Sequence, residues 1–236
     1  MTTIKRQVIA MGGGGFSMEP ENPLLDQYVI NQARKPHPSV CFFPHATDDA
    51  VRYAFNFFNA FNRLDVRPTY LSLFTPPTRD LESFLLEQDI IYVGGGNTKS
   101  MMALWREWKL DELLLKAYQR GVILAGISAG ANCWFQQCST DSLPGQLTML
   151  PCLGILKGSF CPHYDGERER RPSLHKLIGE GRMVPGYAAD DGAAVHFIND
   201  EVSHAVSSRP SAKAYKVSLK NAQISEEMIE TRYLGM

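Results

Sequence analysis

Through the first half of the chain, short continuous apolar runs alternate with segments whose apolar residues recur at helical spacing. The runs at 6–11, 39–43, 70–74, 90–93 and 122–125 predict buried β-strands. Between them, residues 23–33 predict a helix on Leu24, Tyr28 and Ile30. Val51, Ala54, Phe55 and Phe58 predict a second helix, entered through Thr47 and Asp48. Residues 81–86 predict a short helix, and Met101, Leu104, Trp105 and Trp108 line a longer one that continues through 113–118. Five such alternations argue for an α/β fold: a mostly parallel sheet with helices on both faces, a three-layer α/β/α sandwich. In that architecture the strand C-terminal ends share one edge, where ligands bind.

Beyond residue 140 the pattern changes. Strands are expected at 155–161, 193–198, 202–207 and 214–219, with one helix at 174–179. This half is expected to complete the same sheet with antiparallel strands. With no linker, repeat or low-complexity segment in between, residues 1–236 read as a single domain.

Composition narrows the function classes. Lys and Arg number 24 against 25 Asp and Glu, a net charge of −1. That balance gives no footprint for nucleic acid or an acidic membrane surface. The five cysteines are odd in number and include no C-x-x-C pair, so neither a disulfide framework nor a zinc site is expected. No run approaches the roughly 20 apolar residues of a membrane helix, and the first apolar stretch is too short for a signal peptide. A cytoplasmic protein without metal or other cofactor is expected.

Residues 122–137 carry the strongest chemical signal. A buried strand leads into Gly126-Ile127-Ser128-Ala129-Gly130, and residues 131–137 favour a helix. A G-x-S-x-G pentapeptide between strand and helix is the context of a nucleophile elbow, with small residues where a side chain would collide with strand or helix. A serine hydroxyl needs a base. His163, just past a strand and within Pro162-His163-Tyr164, is the first candidate, and His45 at another strand end is its rival. His196 and His204 lie inside strand patterns, His175 in a helix, and His37 between prolines. A carboxylate must orient the base, and Asp190, Asp191 and Asp165 are all available.

Together with Gly94-Gly95-Gly96-Asn97-Thr98 and Asp190-Asp191-Gly192, these residues resemble the aspartyl dipeptidase (peptidase E) family of serine peptidases, which also contains cyanophycinases. The resemblance covers most of the chain in order. It implies a class I glutamine amidotransferase-like, flavodoxin-like fold, with Ser128 as nucleophile, His163 as general base and Asp191 where the founding dipeptidases carry Glu. The oxyanion would be held by the backbone N–H groups of Ala129 and Gly95. Asn97 and Arg168 become the substrate-binding candidates, because such dipeptidases read an N-terminal Asp through a positive side chain after the catalytic histidine. The substrate would be a short peptide, and a homodimer is left open.

Two other signals fail. Residues 12–15 are glycine but no G-x-G-x-x-G follows, and residues 94–100 lack the glycine that a P-loop needs before its lysine. The 12–15 loop is expected to shape the pocket floor instead. Two alternatives stay open: an amidohydrolase for isoaspartyl, cyanophycin-type or other amide substrates, and a flavodoxin-like nucleotide-binding module.

Overall fold

A computed structural model describes residues 4–235; Met1–Thr3 and Met236, the ends of the predicted domain, lie outside the described residues. Five strands of its first sheet are parallel and run from the edge inward in the order β3-β2-β4-β5-β1. They are β1 (Gln7–Met11), β2 (Ser39–Phe43), β3 (Arg67–Tyr70), β4 (Ile90–Val93) and β5 (Ile123–Ile127). Their alternation serves two cores. Val8, Ala10, Ile91, Val93 and Leu124 face one hydrophobic cluster, and Ile9, Met11, Ile90, Tyr92 and Ala125 face the other. Burial on both faces explains why β1, β2, β4 and β5 read as continuous apolar runs, whereas β3 at the sheet edge is partly exposed.

Helices cover both faces. α1 (Gly15–Met18), α2 (Leu24–Asn31) and α3 (Ala50–Phe61) pack on one, while α4 (Leu81–Leu86), α5 (Thr98–Glu107), α6 (Leu110–Gln119) and α7 (Ala129–Asn132) pack on the other. α3 is rotated from its predicted face: it buries Ala54, Phe57 and Phe61, and leaves Val51 and Phe55 exposed. The stack of Phe57 on Phe42 and Phe61, at 4.7 and 4.2 Å, decides that rotation. The third strand also shifts. Its ladder ends at Tyr70, where Leu71 N–H makes a last bond to Phe42, and Leu71 and Leu73 are buried without strand structure.

The second half only partly completes this sheet. β10 (Ala193–Ile198) and β11 (Glu201–Ser207) add antiparallel beside β1, and β14 (Thr231–Tyr233) pairs parallel with β11. The remaining strands make a second, six-stranded sheet in the order β13-β12-β9-β8-β6-β7. They are β6 (Phe135–Thr140), β7 (Thr148–Pro151), β8 (Leu156–Cys161), β9 (Gly186–Ala189), β12 (Ala214–Lys220) and β13 (Gln223–Ile229). α8 (Arg170–Gly179) packs against β12 and β13. The expected helix over 131–137 ends after one turn, because Trp134 and Phe135 are drawn into the core as the chain enters β6. Phe135 stacks on Phe160 at 5.0 Å and meets Phe197 of β10 edge-on at 5.5 Å, so aromatic rings join the two sheets.

Candidate active site

Ser128 sits between β5 and α7 with φ 55° and ψ −113°, a conformation that L-residues rarely adopt. The turn holds because the residues two before and two after Ser128 have no side chains. A Cβ on Gly126 would lie 2.1 Å from the Gly130 carbonyl oxygen, and one on Gly130 would lie 2.2 Å from that of Val93. The Ser128 N–H donates to Met11 in β1 at 3.1 Å, which ties the elbow to the sheet edge.

His163 follows β8 in the second sheet, also at positive φ (52°). Its Nε2 lies 2.9 Å from Ser128 Oγ, and its Nδ1 lies 2.6 Å from Asp191 Oδ1. Burial opposes charge on Asp191, but the hydrogen bond and charge of His163, with Arg209 and Arg170, hold its carboxyl below the usual carboxylate range. An ionised carboxylate only accepts, so Nδ1 carries the proton and Nε2 offers its lone pair to the Ser128 hydroxyl.

The three aspartates that sequence left equivalent have different positions. Asp191 enters between two bare glycines: a Cβ on Gly13 would come within 2.0 Å of Oδ1, and one on Gly166 within 2.2 Å of Oδ2. Asp165 Oδ1 accepts the Asp191 N–H at 2.8 Å and so fixes the backbone that presents the carboxylate. Asp190 turns away, accepts from the Lys213 N–H at 2.9 Å, and is pushed up to about 6 by burial. His45, the rival base, accepts from Trp105 Nε1 at Nδ1 and donates from Nε2 to the Leu71 carbonyl. Burial pushes it down to about 4, and with both nitrogens engaged it has no free lone pair.

A cavity of about 370 Å³ opens over Ser128 and His163. Gly95 and Gly96 form one wall. A Cβ on Gly95 would lie 3.3 Å from that of Ser128, and the Gly95 N–H donates to Tyr53 Oη at 3.1 Å. Tyr53 O–H in turn donates to Ser17 Oγ at 2.9 Å. Ala129, the other expected oxyanion donor, is the first residue of α7.

Three expectations about the cavity need correction. Asn97 caps α5 through a bond from the Ser100 N–H (2.9 Å), and its amide donates to the Ser142 carbonyl (3.0 Å). It faces a neighbouring hollow with His45 instead of the Ser128 cavity. Arg168 is exposed and does not line the cavity. The buried guanidinium of its segment is Arg170, held by Glu167 at 2.7 Å, Asp141 at 3.4 Å and the Ser139 carbonyl at 3.3 Å. The 12–15 loop makes room for Asp191, and the floor falls to Ser17 and Met18 just after it.

The sequence reading missed the wall built by α3 and the loop before it. Asp49, Arg52, Tyr53 and Asn56 line the cavity, at positions i, i+3, i+4 and i+7 of one helical face. That polar stripe was visible in the sequence, but a polar helix face is ordinarily a solvated one. Among the described residues, no group of three or more His, Cys, Asp or Glu is placed to hold a metal ion.

The model of peptidase family S51 matches residues 8–205. The chain belongs to peptidase family S51. Its relatives include the uncharacterized peptidase YgaJ of Bacillus subtilis (strain 168), 55% identical over 230 residues that cover 98% of this chain and 100% of that protein. A crystal structure of a peptidase from an acI-B1 Actinobacterium superposes with a TM-score of 0.66 at 16% identity, covering 97% of this chain and 96% of that one. A Listeria monocytogenes EGD-e chain described as a "Putative Peptidase E Protein" superposes with a TM-score of 0.61 at 20% identity, covering 84% and 96%. Family membership makes the protein a peptidase, in keeping with the sequence resemblance, and the two superpositions share its α/β fold. Among the described residues, no helix is long and apolar enough to cross a membrane.

Proposed function

We propose that the protein is a serine-type S51 peptidase that hydrolyses short peptides, dipeptides with an N-terminal Asp foremost, through Ser128, His163 and Asp191. The observation that carries this reading is the continuous hydrogen-bonded chain from Ser128 Oγ through His163 to Asp191, at 2.9 and 2.6 Å, opening on a cavity. The Ser128 hydroxyl attacks the scissile carbonyl as its proton passes to His163 Nε2. Asp191 holds the ring in the tautomer that can accept it and stabilises the imidazolium. The developing oxyanion takes the Ala129 and Gly95 N–H groups, the carbonyl oxygen replacing Tyr53 as the Gly95 acceptor. His163 then returns the proton to the departing amine, leaving an ester on Ser128. Water, deprotonated by the same nitrogen, cleaves that ester and restores the hydroxyl.

The S51 family supports peptide over other amide substrates. The test is Ser128→Ala with Asp-Leu as substrate. Turnover is expected to fall by about 10⁴–10⁶-fold with an unchanged melting curve, and a fluorophosphonate is expected to label the wild-type serine alone. Cleavage at the wild-type rate by the variant, or labelling elsewhere, overturns the proposal.

A further inference from the structure

A free dipeptide beginning with Asp brings two opposite charges on its first residue, an α-ammonium and a side-chain carboxylate, besides the carboxylate of its C-terminus. Arg168 lies outside the cavity, so the carboxylate needs another cation. The cavity wall holds one charged side chain of each sign, Asp49 and Arg52, joined by a 2.7 Å bond from Arg52 Nε to Asp49 Oδ2. Neither is there for the fold. Asp49 occupies the N-cap position of α3, yet its carboxylate accepts no capping bond, whereas Asp80 and Asn97 at equivalent positions cap α4 and α5. Its carboxylate is turned to Arg52 instead. Both side chains are substantially exposed, 47% and 75%, and an ion pair so exposed contributes little to stability.

From this pair, resting on the peptidase reading above, we infer a recognition subsite for the acyl-side residue of the substrate: Asp49 takes the free α-ammonium and Arg52 takes the acidic side chain. Bonding through Nε leaves both terminal nitrogens of the guanidinium for a two-point contact with a carboxylate. The two charges of the substrate's first residue sit close together, as the wall's two charges sit one helical turn apart, so each finds its opposite. Covering the exposed pair with substrate removes water from it and strengthens these contacts, which is how such a pair discriminates between ligands without stabilising the free protein. A blocked amine leaves Asp49 without its partner, so the subsite restricts the enzyme to peptides with a free N-terminus. Asn56, one turn further along the same face, completes the wall with an uncharged amide.

The test separates recognition from chemistry. Asp-Leu, Asn-Leu and N-acetyl-Asp-Leu are titrated by calorimetry into Ser128→Ala protein, alone and combined with Arg52→Met or Asp49→Asn. The same peptides are assayed for kcat/KM with the single Arg52 and Asp49 variants. Ser128→Ala protein is expected to bind Asp-Leu at least tenfold tighter than either other peptide. Arg52→Met is expected to reduce the Asp-Leu over Asn-Leu preference at least tenfold, in binding and as a rise in KM. Asp49→Asn is expected to reduce the preference for the free over the acetylated peptide by a similar factor. Equal binding of the three peptides, no binding of Asp-Leu, or unchanged preferences in both variants overturns the inference. Discriminating binding without turnover or fluorophosphonate labelling in wild-type protein overturns the peptidase mechanism and leaves the subsite standing.

Discussion

The two sheets contribute to one site in different ways. The first is buried on both faces along four of its parallel strands, and β1, β2, β4 and β5 leave almost no side chain exposed. It delivers Ser128 from a strained elbow at a strand end. The second is half-buried, and every residue of its outer strand β13 is partly covered or exposed. It delivers His163 from the end of β8. Asp191 belongs to neither: it lies in the segment where the chain crosses from β9 in the second sheet to β10 in the first. The hydrogen-bonded chain Ser128–His163–Asp191 is therefore also a stitch across the seam between the sheets. Rigid packing fixes one end, and the other is fixed by local pins such as the Asp165 bond to the Asp191 N–H.

Cutting the stitch tests this comparison most severely. Asp191→Asn keeps the size of the side chain but lets it donate, favouring the wrong tautomer of His163. Turnover of Asp-Leu should fall by about 10⁴-fold while circular dichroism stays native. The first sheet has its own electrostatic signature. Asp26, wholly buried beneath the glycine loop, accepts from Tyr92 O–H at 2.8 Å and is pushed up to about 7, chiefly by burial. In the unfolded chain it takes the ordinary value of 3.8. Between those two values the folded state binds the extra proton, so stability present below pH 4 is lost as pH rises through 7, on the order of a few kcal/mol. Urea unfolding across that range should show the decline, and Asp26→Asn should flatten it.

A milder perturbation acts on the seam alone. Gly166 is exposed, yet its bare Cα faces Asp191 Oδ2. Gly166→Ala should displace that carboxylate and lower kcat by about 10²-fold, with a much smaller change in melting temperature. At the outer strand of the second sheet the smallest response is expected. Met228 is 62% exposed on β13, and Met228→Ser should change the unfolding free energy by no more than about 0.5 kcal/mol. A large loss there would show that β13 supports the site more closely than its burial implies.

Local signals carried well from sequence to structure. The elbow was legible because its requirements lie within five residues: a strained central position and small neighbours, set between a buried strand and a helix. Four parallel strands, β1, β2, β4 and β5, were legible because double burial demands unbroken apolar runs, and the exposed edge strand β3 shifted from its expected place. Other features depended on parts of the chain far apart in sequence. Asp190 and Asp191 differ only in which side of one turn they occupy, and the turn is oriented by Lys213, Gly13 and Asp165. The helical pattern over 131–137 gave way to β6 because Trp105, Phe160 and Phe197 provide burial for Trp134 and Phe135 only in the folded chain.

The amino-acid sequence by itself determined the strained turn at Ser128 and the doubly buried parallel strands, because each follows from backbone sterics or from burial over a few adjacent residues. Tertiary structure alone decided which histidine has a free lone pair, which of three aspartates faces it, and that Arg52 rather than Arg168 reaches the cavity. Those outcomes rest on distances such as those from His163 to Asp191, 28 positions on, and to Ser128, 35 positions back, measured across a seam that exists only once both sheets have formed.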